Sequence, residues 1–184
     1  RSAGAAYPAG AAAARELFRQ LGGGANVQCD CGGGWCWRED GEHVALLRAG
    51  NKKSVPEFTY TLNVPGDLWI PEAAMRMRLR FGLVEPWMFR GASDRAGLAL
   101  PLADGGRVTI RNRRAGDRIH PLGAAGGRRL KEILIDRRLP RWERERLPLL
   151  CWENRIAWVP GVTIDEHFRI GSETSAWIAE ISTP

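Results

Sequence analysis

From Met75 to Phe81 the chain reads M-R-M-R-L-R-F, an unbroken alternation of apolar and basic side chains. A period of two belongs to a β-strand with one face in a core and the other in water. It sends Met75, Met77, Leu79 and Phe81 inward and Arg76, Arg78 and Arg80 outward. Three arginines in a row on one face suit a phosphate site. They also suit a sheet edge that must resist wrong pairing, which is the commoner use. A second run repeats the pattern: Phe58, Tyr60, Leu62 and Val64 alternate with Thr59, Thr61 and Asn63, and Pro65-Gly66 closes it as a turn. A chain holding two such runs is built around sheets.

The remaining pattern agrees. Short strands are expected at residues 27–31, 35–38 and 44–48, divided by glycine-rich turns such as Asp40-Gly41. Others are expected at 107–113, 149–152, 156–159, 162–164, 168–170 and 176–181. Helical spacing appears in two places. Residues 11–21 bring Leu17, Phe18 and Leu21 to one side before Gly22–Gly24, and residues 128–139 do the same with Leu130, Ile133 and Leu134 before Pro140. A short turn or helix fits between Pro140 and Pro148. The fold class expected is α+β, mainly antiparallel β with one prominent helix at 128–139. Three regions are expected: a linker or helix remnant at 1–24, a β-rich linking domain at 25–106, and a C-terminal domain at 107–184. The polar connection at 90–106 sets the softer of the two boundaries.

Charge separates these regions. Residues 107–146 hold 13 Arg and Lys against 5 Asp and Glu, a surplus of +8 in a chain whose net charge is +6. Everything outside that run therefore sums to −2. A basic surface of this density attracts phosphates, and nucleic acid is its commonest large partner. The bland alternative is a solvated arginine face. Within the run, Arg107, Arg111 and Arg113 should point outward from a strand, with Val108 and Ile110 inward. Arg128 and Arg129 should stand at a helix start, where positive charge opposes the helix dipole by about 0.3–1 kcal/mol. Nothing in the helix asks for them there, which suggests an external anion. Guanidinium forks match phosphate oxygens. Such contacts position a nucleic acid without reading its sequence.

Other chemistry is sparse. No P-loop, G-x-G-x-x-G or G-x-S-x-G string is present, and no two carboxylates are spaced as an acid/base pair. Asp117, after Gly116, should cap a turn or hold a neighbouring arginine rather than catalyse. Cys29, Cys31 and Cys36 do not follow a usual zinc spacing, so no metal is expected. His43, His120 and His167 lack an i, i+4 pair and read as structural or exposed. The eight tryptophans speak first for dense packing. No apolar run approaches a membrane span and no signal peptide is visible. A cytoplasmic location with reduced thiols is the expectation.

One ordered string goes further. Arg111, Arg113-Arg114, Gly116-Asp117-Arg118, Pro121, Gly123, Leu130-Lys131, Pro140, Arg144, Pro148-Leu149-Leu150 and Val159-Pro160-Gly161 together resemble the C-terminal domain of bacterial tRNA(Ile)-lysidine synthase. The resemblance covers residues 107–164. Val64-Pro65-Gly66 and Ile70-Pro71 resemble the β-rich segment that precedes the domain. A related β-rich domain occurs in the β subunit of phenylalanyl-tRNA synthetase, and the resemblance implies that fold group. It also implies an ATP-dependent ligase that places lysine on the wobble cytidine of tRNA(Ile). In that family the ATP and Mg sites lie in an N-terminal domain with an S-G-G-x-D-S loop. That loop is absent here, so no catalytic residue and no cofactor are expected in this chain. The implied task is to bind and check tRNA, notably the acceptor stem, through Arg111, Arg113, Arg114, Arg118, Arg128, Arg129, Lys131 and Arg144. The implied partners are tRNA(Ile) and the catalytic domain, with a homodimer as a further possibility. The competing reading is a docking domain that organises the catalytic domain or a dimer and barely touches RNA.

Overall fold

A computed structural model describes residues 19, 28–32, 34–40, 43–48, 55–89, 92–102, 105–172 and 175–183. The chain divides into two compact units, Arg1–Ser54 and Val55–Pro184. The helix expected at 11–21 lies outside the described residues, apart from Arg19. In the first unit β1 (Gln28–Gly32), β2 (Trp35–Asp40) and β3 (His43–Arg48) form an antiparallel meander. Cys29 and Cys36 are buried within it.

The second unit begins with β4 (Thr59–Asn63), β5 (Gly66–Ile70), β6 (Met75–Leu83) and β7 (Arg95–Leu98). It continues with β8 (Arg107–Arg111), β9 (Arg118–Ile119) and β10 (Arg128–Arg129). Helices α1 (Leu130–Asp136) and α2 (Arg141–Arg146) follow, then β11 (Leu149–Trp152), β12 (Arg155–Val159), β13 (Thr163–Ile164) and β14 (Ser175–Ser182). One sheet runs β13-β12-β11-β8-β4 and a second runs β5-β6-β14-β7. A two-stranded ladder joins β9 to β10. Every pairing is antiparallel. The expected α+β class with a single prominent apolar helix is what the chain adopts.

Period-two burial explains the layering. Leu62, Val108, Ile110, Leu150 and Trp158 from the five-stranded sheet meet Met77, Leu79, Leu98, Trp177 and Ala179 from the four-stranded sheet in one core. The neighbouring residues Leu149, Cys151, Ile156 and Val159 face the other way and meet Ile119, Leu130, Ile133 and Leu134. Ala176 and Ile178, on the far face of β14, pack with Val84, Phe89 and Ile170. Strands covered on both faces read as continuous apolar runs, which is why β11, β12 and β14 lack polar alternation.

Four differences from the sequence reading have physical causes. The 90–106 connection contains β7, whose Ala96, Gly97 and Leu98 are buried. Gly97 makes this possible: a methyl there would fall 2.6 Å from the Phe89 ring and against Ile170 Cδ1. Strands on either side of that connection also pair, β4 with β8 and β6 with β14, so both sheets span it. Residues 166–168 form a 3-10 helix instead of opening a strand, because the Asp165 carboxylate accepts the His167 N–H. The third difference concerns β6, which is internal rather than an edge. Its outward arginines answer acids across the strands: Arg76 pairs with Asp67 at 3.4 Å and Arg80 with Glu180 at 3.6 Å. Finally, Phe81 is 56% exposed and meets Trp177 edge-on at a centroid distance of 5.5 Å, so it does not join the core.

Candidate nucleic-acid interface

The basic run folds into β8, the turn after it, the β9–β10 ladder, and the two short helices. The strand expected at 107–113 ends at Arg111, because the chain turns at Ala115-Gly116, where Gly116 takes φ +85°. That turn delivers Asp117 to Arg111. Arg111 Nη1 and Nη2 each donate to one Asp117 oxygen at 2.9 Å, and the two side chains are only 11% and 12% exposed. Asp117 also accepts the Arg114 backbone N–H at 2.7 Å. Arg111 keeps the face opposite Val108 and Ile110, as expected, but the turn covers it instead of leaving it in solvent. Its hydrogen bonds to Asp117 push its already high pKa further up, keeping it charged and committed to the fold.

The helix expected at 128–139 is shorter. Arg128 and Arg129 are extended and pair with β9, and Arg129 is the residue that precedes the first helical turn. Leu130, Ile133 and Leu134 are buried as the spacing required. Arg138 then turns to φ +55° ahead of Pro140. Arg128 reaches past the helix to Asp136, Nη2 to Oδ2 at 2.6 Å, with both side chains about half exposed. Its presence thus has a local explanation, which the sequence did not show.

The remaining cations divide the same way. Arg114 donates to Thr59 Oγ1 at 3.0 Å, and Arg118 donates to the Gly127 carbonyl at 2.9 Å, with both residues exposed. Arg144 is half-buried and already engaged within the fold. Arg113, Arg129 and Lys131 form no ion pair among the described residues, and the last two are exposed. Arg107, expected to point outward from its strand, and Arg137 are exposed and equally uncommitted among the described residues.

The β9–β10 ladder contains the most informative contact. Arg118 and Arg129 are direct cross-strand partners. Like charges placed directly opposite on one face of a ladder are destabilising. An ordinary fold would set acids across from them, as β5 and β14 do for β6. Next to this ladder His120 and His167, far apart in sequence, stand with ring centroids 6.2 Å apart. They are structural: His120 Nε2 lies 2.8 Å from the Ala124 carbonyl, and buried Asp165 accepts the backbone N–H groups of both His120 and His167 at 3.0 Å. Glu166 accepts the Gly123 N–H, which holds its carboxyl below the usual range and anchors the loop that ends at β10. Asn112 is another residue that sequence reasoning passed over. It is buried, accepts from Phe58 N, and donates to the Pro56 and Glu145 carbonyls. A lone polar residue after a strand carries no signal of that role.

Comparison with known proteins falls on this same region. Residues 108–181 match the family described as the TilS substrate C-terminal domain. A tRNA(Ile)-lysidine synthase of Symbiobacterium thermophilum is 41% identical over 128 residues, covering 70% of this chain and 23% of that protein. The bifunctional protein TilS/HprT of Listeria innocua is 34% identical over 116 residues, covering 61% of this chain and 17% of its own length. The chain thus spans less than a quarter of these curated relatives. A crystal structure of a TilS C-terminal domain superposes with a TM-score of 0.58 at 27% identity, covering 70% of this chain and 98% of the solved one. The family match, the relatives and the shared fold agree: from residue 108 to 181 the chain carries the C-terminal domain of the tRNA(Ile)-lysidine synthases.

Proposed function

We propose that this chain is the tRNA-holding part of a tRNA(Ile)-lysidine synthase and contributes charge and shape rather than chemistry. The observation that carries this reading is the opposed pair Arg118 and Arg129, in a basic run that also holds the uncommitted Lys131 and Arg113. Two arginines opposed on one ladder, with no ion pair to an acid among the described residues, are explained by an external anion that repays their repulsion, and a phosphate backbone supplies one every few ångströms. Arg114 is exposed and adds to the surface from its margin, while Arg128 is held by Asp136. Arg111 supports it from beneath by fixing the 112–117 turn. A duplex stem, such as the acceptor stem of tRNA(Ile), suits a surface that reads backbone shape.

Adenylation of the wobble cytidine, and displacement of AMP by lysine, then belong to a domain that carries a phosphate loop, with its ATP and Mg2+. This chain holds no such string. On its own it is expected to release no AMP when given ATP, lysine and tRNA. The docking alternative draws on one observation, the exposure of Phe81 (56%) and Leu83 (77%) on β6, which suits coverage by another domain.

Replacing Arg118 and Arg129 together with Ala separates the two readings. The RNA reading expects weaker tRNA binding and a melting temperature that holds or rises, since a repulsion is removed. Unchanged tRNA affinity together with a lower melting temperature would assign the pair to the fold.

A further inference from the structure

Away from the β9–β10 ladder, a cleft of about 520 Å3 opens where β7 and β13 end their respective sheets. Its floor is apolar and partly aromatic, formed by Phe89, Trp158, Val162 and Ile170. Its rim carries three guanidinium groups, Arg95, Arg137 and Arg169, against one lining carboxylate, Glu85. Arg137 forms no ion pair among the described residues. Arg95 and Arg169 reach Asp94 and Glu166 only at 3.6 and 3.4 Å, with side chains 44% and 65% exposed. Exposed pairs of that length are worth little and yield readily to a better anion. A flat apolar floor beneath a cationic rim fits a molecule with a planar ring and an attached phosphate, and the volume lies in the range of small-molecule sites. Arg137 and Leu122, which also lines the cleft, come from the basic run itself, so the cleft adjoins the surface assigned to RNA.

From this arrangement we infer that the cleft takes one unpaired nucleotide of the bound RNA, its base on the apolar floor and its phosphate on the arginine rim. The inference rests on the RNA-binding reading and adds a preference that reading lacks. A surface of backbone contacts alone treats paired and frayed ends alike, whereas a stacking cleft rewards an unpaired base.

The test uses the chain as it stands and two hairpin RNAs with the same stem, one blunt and one ending in a few unpaired nucleotides. The tailed hairpin should bind about tenfold more tightly at equal salt. Ala92→Trp, which fills the cleft, and Arg169→Ala, which removes a rim charge outside the basic run, should each erase that difference. Both should leave blunt-hairpin affinity within about twofold and leave the circular-dichroism melt unchanged. Equal affinity for the two hairpins in the unaltered chain overturns the inference while leaving the RNA reading in place. So does a tail preference that survives both substitutions. If neither hairpin binds at low salt, the RNA reading fails and the inference falls with it.

Discussion

Removing the Asp117 carboxylate strands a guanidinium that water barely reaches. Arg111 and Asp117 are 11% and 12% exposed, and breaking a buried pair from one side is costly. Asp117→Ala should lower unfolding free energy by about 3 kcal/mol in urea titration. A turn cap alone would cost about 1 kcal/mol, so a loss that small would mean solvent compensates Arg111. Cys151, beside this pair, is pushed up to about 11 by burial. At pH 8 its thiol should resist iodoacetamide in the folded chain and react only in denaturant, which peptide mapping by mass spectrometry would reveal. The sign of the linked stability follows from the raised value. The full contribution is present below the unfolded thiol's pKa of about 8.5 and is lost as pH climbs through about 11. Prominent native labelling at pH 8 would contradict the burial.

Elements whose logic is local were readable from the sequence. The alternation at 58–64 and 75–81 needs only a half-buried sheet, and β4 and β6 follow it. The apolar spacing of Leu130, Ile133 and Leu134 marks α1 because all three meet one core under β11 and β12. Leu134→Ala should cost about 2–5 kcal/mol, measured by the same titration. A loss below 1 kcal/mol would mean the helix is not packed as described. Elements set by remote partners were not readable. β7 exists because Gly97 admits Phe89 and Ile170, residues distant in the chain or hidden in a turn. The covering of Arg111 depends on where the 112–117 turn aims Asp117. The arginines of β6 look like edge guards until β5 and β14 are seen to flank them with Asp67 and Glu180. For the proposed interface, the sequence marked a basic stretch, but it did not separate cations that hold the fold from cations left over. Composition counts charges, while ion-pair geometry assigns them.

At the scale of the whole molecule, the account makes one electrostatic claim. On the proposed reading, a surplus of +8 in residues 107–146, set against −2 elsewhere, meets phosphate. Part of it is spent internally on Arg111 and Arg128, and the cations proposed to meet RNA among the rest are Arg113, Arg118, Arg129 and Lys131. That division predicts unequal effects. Arg129→Ala or Lys131→Ala should each reduce the salt slope of tRNA binding by about 0.7–0.9 without altering stability. Arg111→Ala should unfold the chain before it changes any slope. The most direct measurement is the affinity of this chain for tRNA across a salt series. The account predicts a straight line on logarithmic axes, with a slope of about −3 to −4 if each of those four cations meets a phosphate. A flat response, or no binding at low salt, would contradict it and leave the basic run to docking.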